Sequence, residues 1–131
     1  MSGMTDLDML LTSMSPQLMD GDYVFCTVKG ALSEYVQYNP LATYQEREGL
    51  TLVLSLEEAR RGKFEFDGVY RLITLMVHSS LDAVGLTAAV ANKLKSYGIS
   101  ANVIAAYYHD HIFIQKEKAE LALTALKEFS S

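Results

Sequence analysis

The stretch that decides the fold is YRLITLMVHSSLDAVGLTAAVANKLKSYG, residues 70–98. Its beginning, Tyr70–Val77, is apolar and contains several β-branched side chains, which predicts a buried strand. From about Val84 to Tyr97, apolar residues recur with the period of a helix. Gly98 follows directly and suits the left-handed conformation that ends many helices, so we expect Ile99 to contact Leu94 as in a Schellman motif. The stretch therefore predicts a strand, a turn and a helix.

Outward from this stretch, the second half of the chain continues with two strands and a helix. The strands are predicted in SANVIAAYY and HIFIQ, which meet at His109 and Asp110. The segment KEKAELALTALKEF has the apolar spacing of an amphipathic helix. The predicted order of elements in this half is β-α-β-β-α.

The first half of the chain predicts the same order. Tyr23–Val28 is a strand, KGALSEYVQYNP a short helix ended by Pro40, and LATYQEREG a partly exposed edge strand. LTLVLS is an apolar strand, and Ser55 and Glu58 have the spacing of a capping box at the start of a second helix. A leading helix from Asp6 to Met14 is read as an appendage to this half.

An internal alignment indicates a duplication. LTLVLSLEEA, residues 50–59, aligns without a gap to DHIFIQKEKA, residues 110–119, and apolar positions coincide. Each half is too small to form a robust core alone, so we expect the halves to pack on each other.

Composition excludes several classes of function. The chain has 131 residues, a formal net charge of −5 and no Lys/Arg-rich run, which argues against a nucleic-acid partner. The single cysteine, Cys26, lies in an apolar run, so no intrachain disulfide is expected and a reducing cytoplasm fits. The N-terminus lacks the basic residues of a signal peptide and no apolar run reaches the ~20 residues that span a bilayer, so no membrane contact is expected.

The segment YYHDHIF, residues 107–113, has three interpretations. It can be a solvated hairpin tip, since aspartate is a frequent turn residue. It can contribute His109 and His111 to a metal site with His78 and Asp82, although His-x-His is only a two-ligand fragment. A catalytic interpretation is the weakest, because no nucleophile elbow surrounds Ser79 or Ser80 and the neighbours of Cys26 indicate burial.

The turn HSSLDAVGL, residues 78–86, joins the buried strand to the predicted helix. The first amides of a helix lack internal partners and can bind a carboxylate, and Gly85 would allow close approach. Asp82 could instead cap the helix itself, with nothing bound. Both interpretations remain open from the residues alone.

A family resemblance favours the first interpretation. The β-α-β-β-α order, SSLDAVGLTAAVANKL with its Asp-x-x-Gly, the hairpin GISANVIAAYYHDHIFI and the closing helix resemble an ACT domain. The likeness is specific over residues 70–129, and LLTSMSPQLMDGDYVFCTV with EREGLTLVLS resembles a divergent N-terminal unit of bacterial two-ACT proteins. These are related to the ACT domains of aspartate kinases and of a eukaryotic cytosolic arginine sensor.

The resemblance implies an α+β fold, a ferredoxin-like (ACT) α/β sandwich of two tandem βαββα units with antiparallel sheets. The units would be residues 1–69, with the leading helix, and residues 70–131. It also implies a small-molecule site, usually for an amino acid, with Asp110 as an acceptor for a basic side chain. The implied site residues are Ser79, Ser80, Leu81, Val84, Gly85, Leu86, His109, Asp110 and His111.

The resulting hypothesis is a non-enzymatic, cytoplasmic regulatory module that binds an amino acid, needs no cofactor and forms a homo-oligomer, most simply a dimer. An assembly protein without a ligand is the alternative, followed by a metal-dependent enzyme using His78, His109 and His111, and then by an RNA-binding sheet. The first half departs from the family pattern, because VKGALSEY has Gly30 but lacks Asp-x-x-Gly, so a second site there is in question.

Overall fold

The computed structural model describes residues 7–76 and 85–130, which fall into two compact units. We call residues 1–20 together with 71–131 the discontinuous unit, and residues 21–70 the central unit. In chain order the helices and strands are α1 (Leu7–Ser13), β1 (Pro16–Leu18), β2 (Tyr23–Val28), β3 (Ala42–Gln45), β4 (Leu50–Ser55), α2 (Leu56–Arg61), β5 (Tyr70–Leu75), α3 (Leu86–Ser96), β6 (Asn102–Ala105), β7 (Asp110–Gln115) and α4 (Ala119–Lys127). Short 3-10 helices lie at Leu32–Glu34, Val36–Tyr38, Lys116–Lys118 and Glu128–Ser130.

In the discontinuous unit, α3 and α4 pack on a sheet in which β5 pairs with β1, β7 lies beside β5, and β6 pairs with β7. Side chains of strands and helices form its core: Leu10, Met14, Ile73, Leu75, Leu86, Val90, Leu94, Ile99, Ile112, Ile114, Ala122, Ala125 and Leu126. The predicted strand, helix, hairpin and closing helix of the second half are all present.

The leading helix α1 is part of this core, whereas the sequence suggested an appendage to the first half. Leu10 and Met14 are fully buried, because their spacing places both on one face of the helix. The following strand β1 pairs with Ile73–Leu75 of β5, and Met19 donates a backbone hydrogen bond to Leu72 O. Strand β1 was not predicted, since three residues that include a proline carry no readable alternation.

In the central unit the strand order is β3-β4-β2, with α2 beside β4 and β2. Its core consists of Val24, Cys26, Leu50, Leu52, Leu54 and Ala59. Cys26 is buried as predicted, and burial raises the pKa of its thiol. The predicted edge strand is present as β3, which pairs only with β4 among the described strands.

The predicted short helix of the first half is replaced by two 3-10 helices. The predicted apolar face consists of Leu32, Tyr35 and Val36, of which only Tyr35 packs against the core, while Leu32 and Val36 are exposed. Little packing therefore stabilises a longer helix. Asn39 then takes the left-handed conformation before Pro40. The central unit therefore lacks a counterpart of α3.

The aligned repeat places equivalent side chains in equivalent surroundings. Leu52, Leu54 and Ala59 of the first segment are fully buried. Their partners in the alignment, Ile112, Ile114 and Ala119, are also buried, and both segments run from a strand into a helical turn. Among the described residues, no helix has both the length and the apolar character needed to cross a bilayer.

Candidate functional site

Helix α3 begins at a glycine that supplies no capping side chain. Gly85 is the N-cap residue, with φ +95° and ψ −11°, and its carbonyl accepts a 2.9 Å hydrogen bond from Ala89 N. The predicted helix start at about residue 84 is therefore close to the observed one. Because glycine has no side-chain oxygen, the N-cap residue leaves the first-turn amide donors of α3 without an acceptor of its own.

The C-terminal end of α3 confirms the predicted Schellman motif. Gly98 has φ +72°, Ile99 N donates to Leu94 O at 3.0 Å, and Gly98 N donates to Lys95 O at 2.9 Å. Ile99 and Leu94 both lie in the core. The C-terminal end of α3 is thus fixed by bonds within the motif and by the burial of Ile99 against Leu94.

Leu7 of α1 covers one side of Gly85, a contact that the sequence did not suggest. A Cβ atom added to Gly85 would lie 3.2 Å from Leu7 Cδ2. The glycine is therefore required for its positive φ and for the packing of α1. This structural role competes with the prediction that Gly85 is small in order to admit a ligand.

The hairpin of β6 and β7 carries the predicted polar residues at its connection and at the start of β7. Ala105 pairs with Asp110, and Ala106 N donates to His109 O at 3.0 Å, so the turn is Ala106–His109. Tyr107 and Tyr108 are mainly exposed, with ring centroids 5.0 Å apart. This is the hairpin tip of the first interpretation, but the residues that follow are not simply solvated.

A hydrogen bond fixes the start of β7 beside the end of β5. Thr74 Oγ1 and His111 Nδ1 are 2.9 Å apart, and Thr74 is 4% exposed. Thr74 is the penultimate residue of β5 and His111 is the second residue of β7. The hairpin turn and the C-terminal end of β5 are therefore at the same end of these strands. The sequence analysis did not identify Thr74.

Burial shifts the pKa values of Asp110 and His111 at the start of β7. It raises the pKa of the Asp110 carboxyl, an effect that the nearby His111 partly opposes. It also lowers the pKa of His111; His109 adds to the lowering and Asp110 opposes it. Burial therefore disfavours the charged forms of both a carboxyl group and an imidazole at the start of β7.

His109 contributes a buried nitrogen without a described partner. Its Nδ1 atom is buried and makes no hydrogen bond with any residue of the ranges 7–76 and 85–130. The His109 and His111 ring centroids are 6.4 Å apart. This ring nitrogen of His109 can therefore donate a hydrogen bond to, or accept one from, a molecule that binds beside it.

The predicted site residues therefore divide into three sets. The structure brings His109 and His111 together with Thr74, whereas the side chain of Asp110 lies on the other face of β7, the face of the buried Ile112 and Ile114. Leu86 is buried in the core, so only its backbone can take part. Gly85 lies at the N-terminus of α3. Ser79, Ser80, Leu81 and Val84 lie outside the described residues, as do His78 and Asp82, and their roles stay predictions.

The metal interpretation is not supported by the described residues. Within the ranges 7–76 and 85–130, no three His, Cys, Asp or Glu side chains are grouped so that they could hold a metal ion. His111 Nδ1 is occupied by Thr74, which leaves its Nε2 atom as the ring nitrogen not used in that bond.

Two sequence models, each described as an ACT domain, match the chain, one over residues 2–71 and the other over residues 68–128. No protein of curated function matches it.

Solved structures also match. A Vibrio cholerae protein, described as of unknown function and as a possible transport protein, is 62% identical over 99% of this chain and 100% of its own length, with a TM-score of 0.90. An Agrobacterium tumefaciens protein is 15% identical, with 89% of each chain covered and a TM-score of 0.74. The ligand-free regulatory subunit of aspartate kinase from Thermus thermophilus is 11% identical, covering 90% of this chain and 97% of its own, with a TM-score of 0.65. The last two likenesses concern the fold alone.

Proposed function

We propose a regulatory, ligand-binding function from the premise that this chain belongs to the ACT-domain family. The predicted family is confirmed, as is the predicted α+β, ferredoxin-like fold with tandem ACT domains. ACT domains are typically regulatory modules that bind small molecules and oligomerise. The predicted domain boundary between residues 69 and 70 stays a proposal.

The ligand we propose is an amino acid, bound by the N-terminus of α3 and the start of β7. The observation that carries this proposal is the Thr74–His111 hydrogen bond, which fixes the start of β7, where the partly buried Asp110 lies, beside the end of the strand leading to α3. An amino acid has the complementary groups. Its carboxylate suits amide donors at the N-terminus of α3, and a positively charged group suits Asp110.

The buried Nδ1 atom of His109 supports the same proposal. A buried polar atom without a partner costs about 1–3 kcal/mol, a cost that a hydrogen bond from a bound molecule would remove. Ser79, Ser80, Leu81, Val84, Gly85 and Leu86 would supply the backbone side of the site. We propose that His109, Asp110 and His111 line its other side.

In this proposal the chain is a cytoplasmic regulator rather than an enzyme, and it works as a homodimer or through contact with a partner. Ligand can shift such an equilibrium only if it binds the two states with different affinities. The matched family models are ACT domains, which is what supports a role without catalysis.

Thermal unfolding against each proteinogenic amino acid in turn tests the proposal, with a parallel series in a chelator. A ligand at a hundred times its dissociation constant adds about 2.7 kcal/mol, which raises the midpoint by several degrees. A selective rise that is lost in Asp110→Asn supports the proposed site. Absence of any rise, with an unchanged oligomer, favours an assembly protein, and a large fall in chelator favours the metal site.

A further inference from the structure

In the discontinuous unit, β6 is an edge strand. Among the described strands it pairs only with β7, and Ala106 N donates to His109 O at 3.0 Å where the hairpin closes. Hydrogen-bonded and non-hydrogen-bonded pairs alternate along an antiparallel ladder, so Val103 and Ala105 turn their backbone N–H and C=O groups away from β7. These groups form a row of donors and acceptors along the outer edge of β6.

The chain around β6 carries none of the features that protect exposed edges. No Asp, Glu, Lys or Arg and no proline occurs between Lys95 and Asp110. The register with β7 is continuous from Asn102 to Ala105 and contains no bulge. Soluble proteins usually block an exposed edge with charged side chains, proline or a bulge, because bare edges pair with other chains. The edge of β6 is therefore open to pairing with a further strand.

The edge strand of the central unit, β3, is protected by contrast. It pairs only with β4 among the described strands. Pro40 lies two residues before the strand, and the charged segment 46–48, Glu-Arg-Glu, follows it directly. Charged side chains and proline both hinder the addition of another strand. Lack of protection is therefore a property that separates β6 from β3.

We propose that β6 pairs antiparallel with β6 of a second copy of this chain, about a two-fold axis at Ile104. The proposal rests on the homodimer of the proposed function and gives that dimer an interface. In this register Val103 of each copy lies opposite Ala105 of the other, and each residue both donates and accepts a backbone hydrogen bond. Ile104 lies opposite Ile104 of the second copy in a non-hydrogen-bonded pair, where side chains are close.

A second copy suits this edge better than an unstructured peptide does. In a second copy β6 is already ordered by its pairing with β7, so its backbone entropy is lost before the copies meet. A peptide would lose that entropy on binding, for a strand of only four residues. The uncharged segment also meets itself without placing like charges opposite each other, although the chain as a whole has a net charge of −5.

Sedimentation velocity of the full chain, with proline placed in the outer edge, tests the interface. In Ala105→Pro the N–H group that is removed points away from β7, so the fold should be retained and the bond between copies lost. Thr43→Pro is the matched control, because Thr43 is exposed and its backbone groups point away from β4 in the same way. We expect dimers for the original chain and for Thr43→Pro, and monomers for Ala105→Pro, with unchanged circular dichroism. A monomeric original chain, or a folded Ala105→Pro chain that stays a dimer, overturns the proposal.

Cysteine cross-linking tests the register and decides the matter if Ala105→Pro does not fold. The Cα atoms of a non-hydrogen-bonded pair are about 4.5 Å apart, a distance that a disulfide spans. In a Cys26→Ala background, Ile104→Cys should form a cross-linked dimer in oxidised glutathione. Tyr44→Cys should not, although Tyr44 is 71% exposed and lies at the centre of the β3 edge. Absence of the cross-link at Ile104, or equal cross-linking at both positions, overturns the proposal.

Failure of this interface is distinguishable from failure of the proposed ligand site. A dimer that forms through another surface overturns the β6 pairing, and the thermal unfolding series with amino acids still tests the ligand. A dimer cross-linked at Ile104 that responds to no amino acid supports the interface and removes the ligand from the proposed function.

Discussion

Substitution of Gly85 by alanine should destabilise the chain for two separable reasons. A left-handed backbone costs a residue with a Cβ atom about 1–2 kcal/mol. The new Cβ would also meet Leu7 Cδ2 at 3.2 Å, and overpacking of this kind costs about 1–3 kcal/mol. The contact is only moderately short, and the contacted atom is at the end of the Leu7 side chain, which can shift. We therefore assign the lower end of that range, about 1 kcal/mol, to the contact. The expected total is about 2–3 kcal/mol.

Gly98 provides a matched control, since it has φ +72° and a Cβ atom there would meet no described atom within 4 Å. Gly98→Ala should therefore cost only the backbone strain, about 1–2 kcal/mol. In a Leu7→Ala background the clash disappears, so Gly85→Ala should become no more costly than Gly98→Ala. Gly85→Ala, Leu7→Ala and their double variant form a cycle that isolates the contact, and Gly98→Ala is the outside control for backbone strain.

Urea unfolding followed by circular dichroism, at one fixed protein concentration, measures these differences. The reasoning is refuted if the excess cost of Gly85→Ala over Gly98→Ala persists in the Leu7→Ala background. A Gly85→Ala chain as stable as the original would refute the strain as well. The result also decides which variant is suitable for binding studies, because loss of binding in a Gly85 variant is ambiguous if α1 is displaced.

Three further predictions concern single side chains. Asp110→Asn should stabilise the ligand-free chain at pH 7. The pKa of the Asp110 carboxyl is raised in the folded chain, so its charged form at pH 7 lowers the free energy of unfolding, and asparagine removes that charge. Urea unfolding at pH 7 and at pH 4 measures the effect, and a variant less stable than the original chain at pH 7 contradicts it. The pKa of His111 is lowered in the folded chain, so the free energy of unfolding should fall as pH drops below 6.5, the ordinary pKa of the imidazole. His111→Gln should flatten this pH dependence in urea unfolding. An unchanged slope would exclude His111 as its source. Ser55→Ala should lower the free energy of unfolding by about 1 kcal/mol, because Ser55 Oγ accepts a 3.1 Å hydrogen bond from Glu58 N at the start of α2. Ser55→Asp should retain most of that stability, because aspartate is also an N-cap residue. Equal losses for the two variants in urea unfolding would argue against capping.

Local signals in the sequence predicted local structure well. The spacing of Ser55 and Glu58 identified a helix start whose cap is present, and Gly98 identified a helix end whose Schellman bonds are present. In both cases the bonded groups lie within five residues of each other, so residue type and spacing determine the geometry directly.

Contacts between distant residues were not predictable in the same way. Thr74 and His111 are 37 positions apart, and their hydrogen bond depends on how β5 and β7 are aligned. The sequence identified His111 through its unusual neighbours but gave no reason to select Thr74. Likewise, Leu32, Tyr35 and Val36 suggested one face of a helix, but Leu32 and Val36 are exposed in the central unit, and two 3-10 helices form instead.

The pairing of β1 with β5 and the burial of Leu10 and Met14 make the discontinuous unit a domain whose chain is interrupted by residues 21–70. A fragment starting at residue 70 would contain a complete βαββα repeat by sequence and still lack part of its own interior. Such a fragment would expose the apolar surface that Leu10 and Met14 cover, and we expect it to aggregate. Joining residues 7–20 to residues 71–130 through a short linker would restore the interior, so this spliced chain, rather than a simple truncation, is the suitable form for studying the proposed site in isolation.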